Sequence, residues 1–159
     1  MMELVRRLFG GGVAALSEAS PLDAGTFAAL HAASFHRGWS EDEFEHLLSD
    51  RNVVAHRAVR GRSLVGLIVS RLVLDEAEIL SIAVVAAGRG KGLARQLLEL
   101  NLRRLAGLGA RTVFLEVDES NVPARRLYRR AGFREVGRRE GYYPTGRSGT
   151  ALVVRRDLA

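Results

Sequence analysis

Two hydrophobic periods alternate along this chain, and together they predict a mixed α/β order of elements. Pro21 opens a helix running to Ala33, with Leu22, Phe27, Leu30 and Phe35 offered to a core. Ser40 and Glu43 have the S-x-x-E spacing of a capping box and start a short helix from Glu41 to Leu48. Val53 to Val59 reads as a strand, Arg60-Gly61-Arg62-Ser63 as a turn, and Leu64 to Val73 as a second strand. Ala77 to Ala86 is a third strand whose nearly continuous apolar end suits cover on both faces.

Gly88-Arg89-Gly90-Lys91-Gly92 breaks that strand, and a long helix follows to about Leu105. Leu93, Ala94, Leu97, Leu98 and Leu105 form its apolar stripe, while Arg95, Gln96, Glu99 and Arg103 face away. Gly107 and Gly109 end it. Thr112 to Val117 is a strand. Ser120 or Asn121 caps the next helix, which carries Pro123 in its first turn, reaches Arg130 and stops at Gly132. Phe133 to Arg139 and Thr150 to Arg156 complete the strands, joined by a loop holding Tyr142, Tyr143 and Pro144. No internal repeat or linker interrupts this order, so residues 1–159 are expected to form one domain with its core at about 20–157.

Composition narrows the function classes. With 47% apolar and 26% charged residues, the chain has ordinary globular make-up. There is no cysteine, which excludes disulfides, zinc–thiolate sites and a thiol nucleophile. No uncharged apolar stretch reaches membrane-spanning length. Arg6-Arg7 before Leu8 to Leu16 sketches a signal peptide, but the run is short and glycine-diluted and lacks a good cleavage site. Export is not expected, and the cytoplasm is the expected compartment. The formal charge of +6 is spread along the chain and does not choose among nucleic acid, membrane and phosphorylated small molecules.

Three places carry candidate chemistry. At Ile82 to Leu98 a strand, a glycine-rich turn and a helix follow one another directly. Unpaired N–H groups and partial positive charge at such a helix start favour phosphate binding, and glycines allow close backbone approach. Gly90-Lys91 is followed by Gly92 rather than Ser or Thr, so this is not a P-loop. Leu93 stands where a dinucleotide fingerprint needs its third glycine. What remains is Arg89-x-x-Gly92-x-Ala94, with charge added by Arg89, Lys91 and Arg95.

The second place is Glu116, within the apolar strand Val113-Phe114-Leu115-Glu116-Val117, where the period of two sets it on the face of Phe114. A carboxylate there is either paired with an arginine or held as a base in a cleft with its pKa raised. The third is Ser120-Asn121-x-x-Ala124-x-x-Leu127-Tyr128-x-x-x-Gly132-Phe133, with Tyr128 on one helix flank with Ala124 and Ala131. His31, His36, His46 and His56 show no metal-ligand spacing, and no metal is expected. No Gly-x-Ser-x-Gly elbow is present either.

In order, these pieces resemble the GNAT acetyltransferase superfamily, and within it the ribosomal-protein-alanine acetyltransferase branch. The matching segments are Val73 to Ala77, Ile82-Ala83-Val84, Arg89-x-x-Gly92-x-Ala94, Leu115-Glu116-Val117, Ser120-Asn121, Leu127-Tyr128, Gly132-Phe133 and Tyr142-Tyr143-Pro144-Thr145. The chain departs from the family pattern at Val85-Ala86-Ala87-Gly88, where proline and polar residues are frequent, and at Ala94, where glycine is more common.

The resemblance implies a mostly antiparallel sheet with one splayed parallel pair, flanked by helices. It also implies acetyl-coenzyme A as donor. Ile82, Ala83 and Val84 would present backbone groups to the acetyl carbonyl and pantetheine arm. Gly90, Lys91, Gly92, Leu93, Ala94 and Arg95, with Arg89, would cradle the diphosphate, and Asn121 would contact the arm. Glu116 would be the general base and Tyr128 the general acid toward the departing thiolate. Tyr142 and Tyr143 would line the acceptor groove.

Those roles are chemically consistent. A peptide α-amino group has pKa ~7.7–8.0 against ~10.4 for lysine, so a modest base suffices at neutral pH. A phenol near ~10 donates uphill to a thiolate whose acid lies near ~8.5. The expected reaction is acetyl transfer to a protein's N-terminal α-amino group, with a ribosomal protein's alanine as first choice. The alternatives are a small amine or a lysine as acceptor, and a non-catalytic coenzyme- or RNA-binding module. Direct contact with nucleic acid or membrane is not expected.

Overall fold

The computed structural model describes residues 13–141 and 149–158. Seven strands form one sheet: β1 (Ala15–Glu18), β2 (Val53–Arg60), β3 (Ser63–Val73), β4 (Glu76–Val84), β5 (Thr112–Asp118), β6 (Arg134–Glu140) and β7 (Thr150–Asp157). Their order across the sheet is β1-β2-β3-β4-β5-β7-β6. The four α-helices are α1 (Ala24–Ser34), α2 (Glu41–Ser49), α3 (Leu93–Gly107) and α4 (Val122–Arg130).

One face of the sheet carries α1 and α2, whose Phe27 and Phe44 pack with Ala55, Leu67, Val69 and Ala83. The other carries α3 and α4, where Leu97, Leu98, Leu105 and Tyr128 pack with Ile68, Val113, Leu115 and Leu152. Period-two alternation thus feeds two cores from one sheet.

Every neighbouring pair is antiparallel except β4 and β5. That parallel ladder has three registered pairs, Glu76–Thr112, Ala77–Val113 and Glu78–Phe114. Beyond them β4 stays on β3 through Val84–Gly66 and β5 stays on β7 through Asp118–Ala151. The two strands therefore part at Ile79 and Leu115, and the sheet opens where the chemistry-bearing residues lie. The splayed parallel pair expected from the resemblance is present.

Several local expectations change. Strand β1 has no counterpart in the sequence reading; it pairs with β2 from Ala15–Val59 to Glu18–His56. Pro21–Asp23 is a 3₁₀ turn before α1, with Ser20 accepting from the N–H of Leu22 while Asp23 accepts from the N–H of Ser20. That turn rotates Leu22 outward, and it is 96% exposed rather than core. Strand β4 stops at Val84, because Ala86–Gly88 winds into a second 3₁₀ turn. Asn121, not Ser120, caps α4, its Oδ1 accepting from the N–H of Ala124 at 3.2 Å.

A buried polar cluster ties α3 to the sheet. Asn101 donates to the carbonyl of Val54 at 3.2 Å, accepts from the Ser70 hydroxyl, and lies 3.0 Å from His56 Nδ1. Since the amide nitrogen is the donor, that ring nitrogen accepts, which puts the neutral ring's proton on Nε2. Burial lowers the His56 pKa, with Glu18 opposing and Arg104 reinforcing the shift.

Candidate active site

A groove of about 790 Å³ opens between the parted ends of β4 and β5. Its β4 wall runs from Ile79 to Val84, its β5 wall from Leu115 to Asp118, and it reaches the glycine turn on one side and α4 on the other. Ile82, Ala83, Val84, Arg89, Gly90, Gly92, Leu93, Ala94, Arg95, Asn121, Glu116 and Tyr128 all line it. Of the site residues predicted from the sequence and lying in the described range, Lys91 is the one that does not. Tyr142 and Tyr143 fall outside the described residues, so the acceptor-loop expectation has no structural counterpart here.

The turn into α3 is built to expose donors. Gly90 and Gly92 have φ of +79° and +76°, a region that L side chains rarely adopt. A Cβ on either would meet nothing within 4 Å, so open space faces the backbone there. Gly92 is the N-cap of α3 and offers no side chain to its first N–H groups. Those amides are left without an intrahelical acceptor, and the helix dipole adds partial positive charge. An anion with several oxygens suits this terminus.

The charged side chains around the turn divide into engaged and unengaged. Arg89 donates through Nε to the Val84 carbonyl at 3.3 Å, bracing the turn against the strand it follows. Arg95 pairs with Glu99 at 3.0 Å along α3. Arg126 and Arg130 of α4 also line the groove, although the sequence reading passed over them. Their i, i+4 spacing beside Tyr128 was the available signal. Asp118, likewise unforeseen, is buried at the end of β5 and accepts from both the N–H and the hydroxyl of Ser120.

Glu116 sits on the half-open face of β5, as the alternation required, with 22% of its side chain exposed. Arg139 of β6 lies 3.1 Å from Glu116 Oε1. Of the two environments open to this carboxylate, the paired one is present, and the picture of a dry, unpartnered glutamate gives way. The cause is topological: β7 lies between β5 and β6, and the arginine reaches the carboxylate across that one strand.

Glu116 also lines a second depression of about 590 Å³ together with Glu78, Phe114, Arg139 and Val153. This carboxylate therefore stands between two openings, one toward the glycine turn and one toward the β3–β4 hairpin.

Tyr128 is buried in the last turn of α4, edge-on to Phe133 with ring centroids 5.9 Å apart. Burial pushes its phenol up to about 12. The group is a weaker acid than an ordinary tyrosine and stays protonated throughout the neutral range. Among the described residues no three His, Asp or Glu side chains gather as a metal-ligand set. No described helix is long and apolar enough to cross a membrane.

A model of the acetyltransferase (GNAT) family matches residues 24–133. The chain is similar to the [ribosomal protein bS18]-alanine N-acetyltransferase of Escherichia coli K12, 36% identical over 107 residues, which are 67% of this chain and 72% of that protein. It is 37% identical to the Haemophilus influenzae enzyme of the same name over 98 residues, or 62% of this chain; the match spans 66% of that relative's length. Among solved structures it is similar to the ribosomal-protein-S18-alanine N-acetyltransferase from Escherichia coli, with a TM-score of 0.85 and 28% identity. That superposition covers 92% of this chain and 94% of the other.

Proposed function

The chain belongs to the acetyltransferase (GNAT) family, and from that premise we propose that it moves acetyl from acetyl-coenzyme A to the N-terminal α-amino group of a protein, a ribosomal protein's alanine first. One observation carries the proposal: Glu116, Tyr128, the Ile82–Val84 edge and the glycine turn all line a single groove. The names of the relatives above support the choice of acceptor. The compartment that goes with such an acceptor is the cytoplasm.

The residues present fit the coenzyme. Its diphosphate is the anion for which the uncapped start of α3 and the open space at Gly90 and Gly92 are suited. Its extended arm matches an unpaired strand edge, since β4 has no β5 partner beyond Glu78. When bound, the coenzyme supplies an activated thioester. At the free edge of β4 the N–H groups of Ile82 and Val84, which alternate with the β3-bonded N–H of Ala83, are then offered to the carbonyl oxygen on which charge develops. Asn121, whose Oδ1 already caps α4, has its amide N–H₂ left to orient the arm.

Glu116 takes the proton of the attacking amine, directly or through one water. Its position between the two depressions lets an acceptor approach from the hairpin side while the donor lies in the groove. Arg139, 3.1 Å from Oε1, orients the carboxylate. Tyr128 faces a harder task than a free phenol. With its acidity at about 12 and a thiol near ~8.5, full proton transfer before product leaves runs steeply uphill. Its role is a hydrogen bond to the developing thiolate.

The test is release of free thiol from acetyl-coenzyme A with short peptides beginning in Ala, Ser, Met or Gly, set against small amines and a blocked lysine peptide. Preference in kcat/KM for an α-amino peptide supports the proposal. Preference for a small amine or for lysine moves the chain to a different acceptor, and no thiol release with any of them leaves only a binding module.

A further inference from the structure

One polar side chain of the groove has no part in the roles assigned so far. Ser81 of β4 lines the opening and is 8% exposed. Among the described residues its hydroxyl oxygen has no hydrogen-bond partner. The other buried serine, Ser70, donates to Asn101 Oδ1. A buried hydroxyl without a partner has lost its water with no return in stability, and a group of that kind calls for an explanation in function.

Strand register sets Ser81 across from Glu116. The parallel ladder of β4 and β5 ends at Glu78–Phe114. Glu116 lies two residues beyond Phe114, and Ser81 three beyond Glu78. The extra residue on β4 is Leu80. Strand β3 pairs Ser70 with Ile79 and Val69 with Ser81, so Leu80 is the unpaired residue of a β-bulge. With Leu80 taken up in the bulge, Ser81 and Glu116 stand at the same level on the two parted strands.

The faces agree as well. Ser81 pairs with Val69 and Ala83 with Leu67, and Val69, Ala83 and Leu67 belong to the core beneath α1 and α2. Directly paired residues share a face of the sheet, so Ser81 is on that one. Val113, Leu115 and Val117 belong to the core beneath α3 and α4, which leaves Glu116 on the α1 and α2 face too. The bulge is what brings this about. Ile79 belongs to the α3 and α4 core, and unbroken alternation from it would send Ser81 to that side.

We propose that the Ser81 hydroxyl is a second acceptor that holds the attacking amine. The proposal deepens the acetyl-transfer reading and rests on it. A neutral primary amine has one lone pair and two N–H bonds. For the lone pair to meet the thioester carbon, both N–H bonds must be aimed elsewhere. Glu116 takes the proton of one as the C–N bond forms. The C–S bond breaks, and its electron pair leaves on the thiolate. The nitrogen keeps the other N–H, which becomes the amide N–H of the product, and Ser81 accepts from it. Two fixed acceptors on opposite walls set the direction of the lone pair, whereas Glu116 alone leaves the amine free to turn about one hydrogen bond. The hydroxyl is screened from bulk water, and its meeting with the amine comes with movement of half-buried groove side chains such as Leu80 and Phe35.

The experiment compares wild type with Ser81→Ala and Ser81→Thr in three measurements. These are kcat/KM for whichever primary amine wild type prefers, calorimetric affinity for coenzyme A, and the urea midpoint. Ser81→Ala removes a hydroxyl that has no partner in the free protein, so the midpoint should stay or rise and coenzyme A should bind as before. Its kcat/KM should fall by about threefold to tenfold, the worth of one neutral hydrogen bond. Ser81→Thr keeps the hydroxyl and should recover most of that loss.

A loss of less than threefold in Ser81→Ala overturns the proposal while leaving the acetyl-transfer reading intact. So does a Ser81→Ala protein with a lower midpoint or weaker coenzyme binding, the mark of a structural hydroxyl, or a Ser81→Thr protein no faster than Ser81→Ala. If wild type releases no thiol from acetyl-coenzyme A with any amine, the acetyl-transfer reading itself fails and this inference goes with it.

Discussion

Replacing Glu116 by Gln separates two things a carboxylate at this position can do. The substitution keeps the side chain's shape and removes its charge, and with it the ion pair to Arg139 at 3.1 Å. The Arg139 side chain is 59% exposed and solvated, so losing this pair should cost no more than ~1 kcal/mol of stability. Denaturant midpoints check that the fold survives. Activity should fall much further. If Glu116 only strips the proton from an ammonium before attack, its value is set by how scarce the neutral amine is. With an α-amino pKa of ~7.7–8.0, roughly one molecule in ten is neutral at pH 7, so the deficit cannot exceed about tenfold and vanishes by about pH 9. If Glu116 takes the proton as the bond forms, the deficit is ~10²–10⁴-fold and persists at high pH. The position of Glu116 between the donor groove and the hairpin depression favours the second outcome. The assay is steady-state kcat/KM for the preferred α-amino peptide from pH 6.5 to 9.5, wild type beside E116Q. A folded E116Q with rates within twofold of wild type across that range refutes the assignment of a base.

Other expectations follow from the same geometry. Tyr128→Phe, which removes one hydrogen bond to a developing anion, should lower kcat by ~10–100-fold with little change in coenzyme affinity; because burial holds the phenol at about 12, wild type should show no alkaline fall in rate from this group below pH 10. Gly92→Ala imposes a side chain at φ +76°, costing ~1–2 kcal/mol and tilting the first amides of α3; weaker binding of coenzyme A in calorimetry with a lower unfolding midpoint is the expected pair of results. His56 should make the fold acid-sensitive. Its native pKa is depressed below 6.5, so the unfolded chain takes up a proton near that pH which the native state refuses; stability is intact above about pH 6.5 and falls as pH drops toward the native value. Urea midpoints at pH 7.5 and 5.5 should show a smaller acid loss for His56→Gln than for wild type, the remainder including buried His31, whose pKa burial also lowers.

Much of this protein follows from short-range pattern. The apolar stripe of α3 marks the face it buries, the period of two sets Glu116 beside Phe114, and the glycines after β4 mark a phosphate-type turn. These are readable because a helix repeats every 3.6 residues and a strand every two, and because only glycine takes positive φ without cost. Short-range pattern fails where a turn reorients a residue, as the 3₁₀ turn does with Leu22. It fails again at β1, a four-residue strand whose identity comes from its partner on β2 and not from its own sequence.

Tertiary structure alone decided the rest. That β4 and β5 part after Glu78 and Phe114 depends on β3 and β7 holding each strand from outside. The Glu116–Arg139 pair depends on β7 lying between β5 and β6, and the His56–Asn101–Ser70 cluster on α3 crossing β2 and β3. The groove gathers Arg89, Glu116, Tyr128 and Arg130 from segments far apart in the chain. Periodicity says which way a side chain faces; the residue that meets it is chosen by strand order and helix placement, which minimise exposed apolar surface over the whole chain at once.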